Sequence, residues 1–312
     1  MRLRVGLIGT GYWAKAVHAP SVRHHPDTDL IGVWGRDPSK AADLAAEFGA
    51  QAYADVDALL ADVDALTFAV PPDVQSDLAI RAAQAGRHLL LEKPIATSVA
   101  AAELLEETVA RAHVASIVFF TRRFVPETSA WLQRVNDIGG WDCGRAEFAA
   151  SALVDGGAFS SSPWRHDKGA LWDVGPHALS LLLPMLGDVT SVVAGGGRGD
   201  QVHLVMRHVD GASSTASLSM TVPPPAIGNT VYVYGQSGRM TAPSKALERA
   251  QIIEAHSAAL DALINQIERP GTGHACDVRF GLRVVQILGA AERSLSTRRA
   301  VEVDAPVPAR GV

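Results

Sequence analysis

The sequence predicts an α/β protein in which an N-terminal doubly wound parallel sheet is followed by an α+β domain with an open, mostly antiparallel sheet. Three observations lead there. The chain opens with an apolar strand that breaks into a glycine turn, Gly9-Thr10-Gly11-Tyr12-Trp13-Ala14. Strand-like and helix-like stretches then alternate through the first 120 residues. After Arg122 the texture changes to several strand-like runs flanked by helical patterns.

In the first part, strands are expected at 5–8, 30–34, 51–53, 65–70, 88–91 and 116–120, and alanine-rich helices at 38–48, 55–61, 74–85 and 99–112. A helix also opens over 14–19, with Pro20 limiting its regularity. Gly49 and Gly86 stand where helices should stop, since a left-handed residue closes a helix most cheaply without a Cβ. Regular alternation requires crossover connections, hence a parallel sheet covered on both faces, with ligands beyond the C-terminal strand ends. In the second part, helices are expected at 127–135 and 176–186, with strands at 145–154, 189–194, 202–208, 214–221 and 230–234. Two long helical patterns close it, near 246–268 and 276–295. The expected domains are 1–121 and 122–312.

Composition narrows the function classes. With 312 residues, 47% of them hydrophobic, the chain can bury two cores. A net charge of -5 gives no reason to expect nucleic acid or an anionic membrane as partner. Cys143 and Cys276 lie far apart in sequence, which suggests neither a disulfide framework nor a metal site. His24-His25 precedes Pro26 and reads as a solvated loop. No apolar run approaches the roughly 20 residues of a membrane span. The first strand starts almost at Met1, leaving no room for a leader, so a cytoplasmic location is expected.

The opening turn has the spacing G-x-G-x-x-A. Gly9 permits the tight turn, Gly11 lets the backbone approach a pyrophosphate, and Ala14 allows helix and strand to approach closely. The helix N-terminus then offers N–H groups and partial positive charge to phosphates. Strand-to-helix turns also carry glycines for geometry alone, but a second strand at βαβ distance favours nucleotide binding. That strand ends Val33-Trp34-Gly35-Arg36-Asp37, with glycine where an acid would bind the ribose diol of NAD. Arg36 and Lys40 suit a 2′-phosphate, and Asp37 before Pro38 reads as a helix cap, so NADP is favoured over NAD.

Two further clusters carry chemistry. Glu92-Lys93-Pro94 follows the apolar strand 88–91; a lysine there could stabilise a developing alkoxide, or form a solvated pair with Glu92. Asp173 and His177 stand four apart in Asp173-Val174-Gly175-Pro176-His177. A carboxylate on one ring nitrogen would leave the other to exchange a proton. Alternatively Asp173 is an N-cap and His177 a half-buried neighbour.

Taken in order, Gly9–Ala14, Ala69-Val70-Pro71-Pro72, Glu92-Lys93-Pro94 and Asp173–His177 resemble the glucose-fructose oxidoreductase / inositol dehydrogenase / rhizopine-catabolism (Gfo/Idh/MocA) family. Arg122-Arg123-Phe124 resembles the family's domain-crossing segment, and the late Ala291-Glu292-Arg293-Ser294 stretch its closing helix. The resemblance implies a Rossmann domain, then an α/β domain whose open sheet mediates homodimers or homotetramers. It implies nicotinamide-dependent chemistry on polyols, sugars or related small molecules. Lys93 matches the catalytic lysine, and Asp173 and His177 the aspartate–histidine pair. Ala69, Val70, Pro71 and Pro72 match the loop on the adenine and ribose side. With Gly9, Thr10, Gly11, Tyr12, Trp13, Arg36, Lys40, Gln75, Glu92, Lys93, Pro94 and Arg122 they form the expected cofactor set. Trp164 and Arg165 match a segment bordering nicotinamide and substrate, where His177 also faces. Three departures stand out: Ser180 replaces an acid, Gln75 a histidine and Lys168 a glycine, which bear on the usual sugar contacts.

The expected reaction is a reversible hydride transfer between nicotinamide and a secondary alcohol or carbonyl carbon. A non-catalytic dinucleotide sensor is the main rival, since fold does not fix function. Trp164 and Trp172 also fit a reductase of a bulky aromatic substrate, unless either is a core anchor.

Overall fold

The computed structural model describes residues 2–304, which divide into two compact units. The first runs to Val125 and resumes over Leu247–Leu282; the second comprises Pro126–Ala246 and continues from Arg283. The expected single division after residue 121 is therefore incomplete. The chain returns to the first unit because the helix Arg249–Glu268 buries Ala255, His256, Ala259, Leu260 and Leu263, and His256 bonds to Ser21 and Thr67 of that unit. Periodicity marks the helix but carries no information about which sheet it covers.

The first unit is built on six parallel strands: β1 (Leu3–Ile8), β2 (Thr28–Trp34), β3 (Gln51–Tyr53), β4 (Ala65–Phe68), β5 (His88–Glu92) and β6 (Ser116–Phe119). Their spatial order is β3-β2-β1-β4-β5-β6, reversing direction between β1 and β4. The central strands are near-continuous apolar runs because helices cover both faces: Leu7, Leu66, Phe68, Leu89 and Leu91 are all wholly buried. The reversal leaves a crevice beyond the C-terminal strand ends, where doubly wound sheets take their ligands.

The helices Pro38–Phe48 and Val99–Ala112 fall where expected. Asp37 caps the first through the N–H groups of Ser39 and Lys40, and Gly49 closes it in the left-handed region. Two local expectations change. Residues Ala14–His18 form a π-helical turn that leads into the α-helix Ala19–His24. Pro20 has no N–H for the carbonyl of Ala16, so a regular α ladder cannot run through; the wider turn, closed by Ala19 N–H on Ala14 O, takes its place. His24 is exposed as expected, but His25 is 2% exposed and holds Asp261 through Nε2 at 3.0 Å.

In the second unit, β7 (Trp141–Ala149), β8 (Val189–Gly196), β9 (Val202–His208), β10 (Ser213–Ser219), β11 (Gly228–Gly235), β12 (Gly238–Thr241) and β13 (Val301–Glu302) form one sheet in the order β12-β11-β7-β10-β9-β8-β13. Only the β7/β10 pair is parallel. The helix Gly175–Leu186 lies on one face, with Leu182 and Leu186 filling the space over Gly144. The strands β12 and β13 are additions to the expected set, being too short to show a period in sequence. No helix among the described residues is long and apolar enough to cross a membrane.

Candidate active site

In the first unit the expected residues gather on the C-terminal edge of the parallel sheet. Gly9 follows β1 at φ +123°, and a Cβ there would lie 2.4 Å from the carbonyl oxygen of Ala69, just past β4. Only glycine allows that approach at the point where the strand order reverses. Gly11 has open space where its side chain would be, and its carbonyl accepts from Lys15 N at 3.1 Å as the helical segment begins. A tight turn, an open backbone edge and a helix start together fit a dinucleotide pyrophosphate.

The neighbouring strand end meets this turn directly. A Cβ on Gly35 would fall 2.6 Å from Cγ2 of Thr10, so any larger residue here must push against the Thr10 side chain of the turn. Arg36 and Lys40 are exposed beyond it. The Asp37 carboxylate is held below its usual range, first by the Ser39 hydroxyl and then by the backbone of Lys40; Lys40 Nζ lies 3.8 Å away. Tyr12 is 60% exposed, with Arg249 reaching its hydroxyl at 3.4 Å. Pro71 and Pro72 lead into the helix Pro72–Gln84.

The segment Glu92-Lys93-Pro94 ends β5 and contains a cis Lys93–Pro94 peptide. Gln75 is fully buried beneath it. Its amide nitrogen donates to Glu92 O at 2.8 Å and Pro94 O at 3.3 Å, while its oxygen accepts from Glu92 N at 2.8 Å. Gln75 therefore clamps the lysine turn instead of offering its amide to a ligand, which corrects its expected place in the cofactor set. The Glu92 carboxylate accepts from the Trp13 indole at 2.8 Å, tying the glycine turn to the lysine turn. Arg122 lies in a short turn after β6, and burial lowers the pKa of its guanidinium.

The second unit holds the rest. The helix Pro163–Asp173 is broken at Gly169, whose φ of 62° and ψ of -163° are outside helical range. Arg165 donates from Nε to Asp173 Oδ2 at 2.9 Å and from Nη1 to Ser162 Oγ at 3.2 Å. Its guanidinium lies 3.9 Å from the Phe159 ring centre and 4.5 Å from that of Trp164, so cation–π contact and ion pairing fix it together. Asp173 is only 4% exposed and pairs with Arg165. The N-cap position of the helix Gly175–Leu186 is Val174, without a side-chain cap bond, and Asp173 before it is a buried ion-pair partner of Arg165. His177 sits in the first turn of that helix with its ring stacked on Phe148, 6.1 Å between centres.

Two departures from the family pattern gain a physical reason. Ser180 is wholly buried and donates to the carbonyl of His177 at 2.9 Å, leaving no room for a carboxylate. Lys168 donates to Glu292 at 3.1 Å, and the Trp172 indole reaches the same oxygen at 3.3 Å. Trp172 is 1% exposed, so it is a core anchor and not a wall for an aromatic substrate. Sequence reasoning misses His18, Thr67 and His256, which bond to one another and to Glu92; an isolated histidine or threonine gives no pattern to read.

Comparison with known proteins agrees with this geometry. Residues 3–120 match the family model described as an oxidoreductase family with an NAD-binding Rossmann fold. Residues 136–241 match the Gfo/Idh/MocA C-terminal domain. Inositol 2-dehydrogenase of Rhizobium meliloti is 24% identical over 97% of this chain and 100% of its own length. An uncharacterized oxidoreductase of Synechocystis is 33% identical over 62% of this chain, which spans only 53% of that relative. Among solved structures, GenD2 of gentamicin A biosynthesis in complex with NAD superimposes with a TM-score of 0.84 at 25% identity, covering 97% of each chain. Fold and sequence define an oxidoreductase with a Rossmann domain for a nicotinamide dinucleotide. The chain belongs to the Gfo/Idh/MocA oxidoreductase family.

Proposed function

We propose that this protein is an NAD(P)-dependent dehydrogenase acting on a secondary hydroxyl, or the corresponding carbonyl, of a sugar, polyol or related small molecule. The observation that carries the reading is the lysine turn. Lys93 follows β5 on the sheet edge that holds the glycine turn, and a buried amide fixes its backbone. The chain also carries Lys93, Asp173 and His177, residue types that a sensor would not need.

When bound, the dinucleotide supplies the nicotinamide carbon that takes up or returns a hydride. Gly9, Gly11 and the N–H groups that follow would hold its pyrophosphate, and Ala69 to Pro72 would line the ribose. His177 takes the hydroxyl proton during oxidation and returns it during reduction. Asp173, held by Arg165 at 2.9 Å, is the residue this reading assigns to orienting the imidazole. Lys93 stabilises the alkoxide as it develops. Trp164 and Arg165 border the substrate.

The same reading favours NADP. Gly35 replaces the acid that would repel a 2′-phosphate, Arg36 and Lys40 are exposed beside it, and Asp37 is engaged as a cap. It also favours a homodimer or homotetramer through the second sheet. Val193 and Val205 stand directly opposite each other on β8 and β9, 45% and 53% exposed, and an apolar pair of this kind suits self-association.

The relatives indicate a test set, since they include dehydrogenases named for inositol, glucose 6-phosphate and levoglucosan. Purified protein is mixed with each alcohol and NAD or NADP, and reduced nicotinamide is followed by absorbance. Reduction of NADP by at least one polyol, faster than NAD, is expected. Tight dinucleotide binding with no turnover on any of them would favour the sensor and end the enzyme reading.

A further inference from the structure

We infer that His18 is a positioning residue for the Lys93 turn, acting through Glu92 at the end of a one-directional hydrogen-bond chain inside the first unit. The inference rests on the catalytic reading of Lys93 given above.

The chain links three elements. His18 closes the π-helical turn Ala14–His18 that follows the glycine turn. Its Nε2 lies 3.1 Å from Glu92 Oε1, and its Nδ1 lies 2.7 Å from Thr67 Oγ1 and 3.2 Å from His256 Nε2. His256 Nε2 is also 3.3 Å from Thr67 Oγ1, and its Nδ1 is 3.0 Å from Ser21 Oγ. Both histidines are wholly buried.

The direction of every bond follows from charge and valence. Burial pushes the pKa of His18 down to about 3 and that of His256 well below its ordinary value, so both rings are neutral and each has one donor and one acceptor nitrogen. Glu92 Oε1 already accepts from the Trp13 indole, and as the acceptor toward His18 as well it places the proton on His18 Nε2. His18 Nδ1 must then accept, which makes the Thr67 hydroxyl a donor and places the His256 proton on Nε2. His256 Nδ1 accepts in turn from the Ser21 hydroxyl. Each donor points toward Glu92, and bonds aligned in this way polarise one another in a low-dielectric interior.

The consequence concerns geometry at the reacting end. Glu92 precedes Lys93, and Gln75 clamps its backbone while its carboxylate is held from two sides by Trp13 and His18. Trp13 comes from the glycine turn, so the carboxylate fixes the lysine turn against the element that would hold the pyrophosphate. A lysine displaced by about 1 Å can lose two orders of magnitude in rate. π-Helical turns recur at functional sites, and this one carries the residue that completes the tie.

The test uses the full chain with three substitutions: His18→Leu removes both polar atoms, His18→Gln keeps a donor near Glu92, and Thr67→Val keeps shape but deletes the hydroxyl. Nitrogen-15 spectra of histidine-labelled wild type at neutral pH should show His18 and His256 as Nε2–H tautomers. With the best polyol found above, His18→Leu should lower kcat about tenfold, the loss of one such hydrogen bond, while dinucleotide affinity stays within about twofold. His18→Gln should recover most of that kcat. Should His18→Leu fail to fold, Thr67→Val carries the test through a lowered kcat, with His18 kept as the Nε2–H tautomer by Glu92 and His256. An Nδ1–H tautomer for His18, equal kcat in the folded variants and wild type, or no recovery with Gln would each overturn the inference. Wild type that turns over no polyol would instead count against the enzyme reading, so the two failures are distinct.

Discussion

Gln75 and Glu92 exchange a reciprocal pair of hydrogen bonds, side chain to backbone, each 2.8 Å long. The pair makes the strand end ahead of Lys93 a rigid mount, although Gln75 lies 17 residues earlier on a helix. Gln75→Ala leaves the N–H and C=O of Glu92 without this partner. The expected cost is about 2–4 kcal/mol of stability, from two buried groups at about 1–2 kcal/mol each. Denaturant midpoints measure it, and unchanged midpoints would refute it.

The contact between Gly35 and Thr10 constrains cofactor engineering. Gly35→Ala places a methyl 2.6 Å from Thr10 Cγ2, which must shift the Thr10 side chain within the glycine turn. Dinucleotide affinity should fall by about tenfold, roughly 1.4 kcal/mol. Thr10→Ala in the same protein removes the obstruction and should restore most of the loss. Fluorescence titration with reduced dinucleotide compares the two; an undiminished affinity in the single variant would refute the steric argument.

Arg165 is the cation paired with a nearly buried Asp173. Arg165→Met should cost about 3 kcal/mol, as expected when one member of a buried pair is removed, and should lower turnover. Dinucleotide affinity should hold, because the Rossmann sheet lies in the other unit. Turnover equal to wild type would remove Arg165 from the site.

Acid should destabilise the first unit. His18 titrates at about 3 in the folded protein against an ordinary 6.5, so the unfolded chain binds the extra proton first. The stability associated with the neutral ring is complete above pH 6.5 and lost as pH falls toward 3, by about 1.4 kcal/mol per pH unit. His256 acts in the same direction. Urea midpoints of wild type and His18→Gln across this range should converge as pH falls; parallel lines would contradict the neutral buried ring.

Much of this fold is legible in the sequence because its signals are local and periodic. The apolar runs of β1, β4 and β5, short and bounded by turn residues, read as strands buried on both faces, and Asp37-Pro38 with Gly49 marks both ends of one helix. The glycine turn is legible for the same reason: Gly9 and Gly11 serve backbone geometry, which spacing reveals. The return of the helix Arg249–Glu268 to the first unit is not, since an amphipathic pattern does not name its partner. Nor are the His18–Thr67–His256 chain and the Arg165–Asp173 pair, which depend on side chains from separate elements, or from the two ends of a broken helix, meeting in space. Gln75 reads as a ligand contact from its place after the proline loop, whereas its burial turns the amide toward backbone.

The most direct measurement compares wild type with Lys93→Met, pairing reduced-dinucleotide titration with polyol oxidation. If Lys93 stabilises the alkoxide, turnover disappears while the dinucleotide binds within about twofold of wild type. Full turnover in the methionine variant would remove Lys93 from the chemistry, and with it the enzyme reading built on that turn.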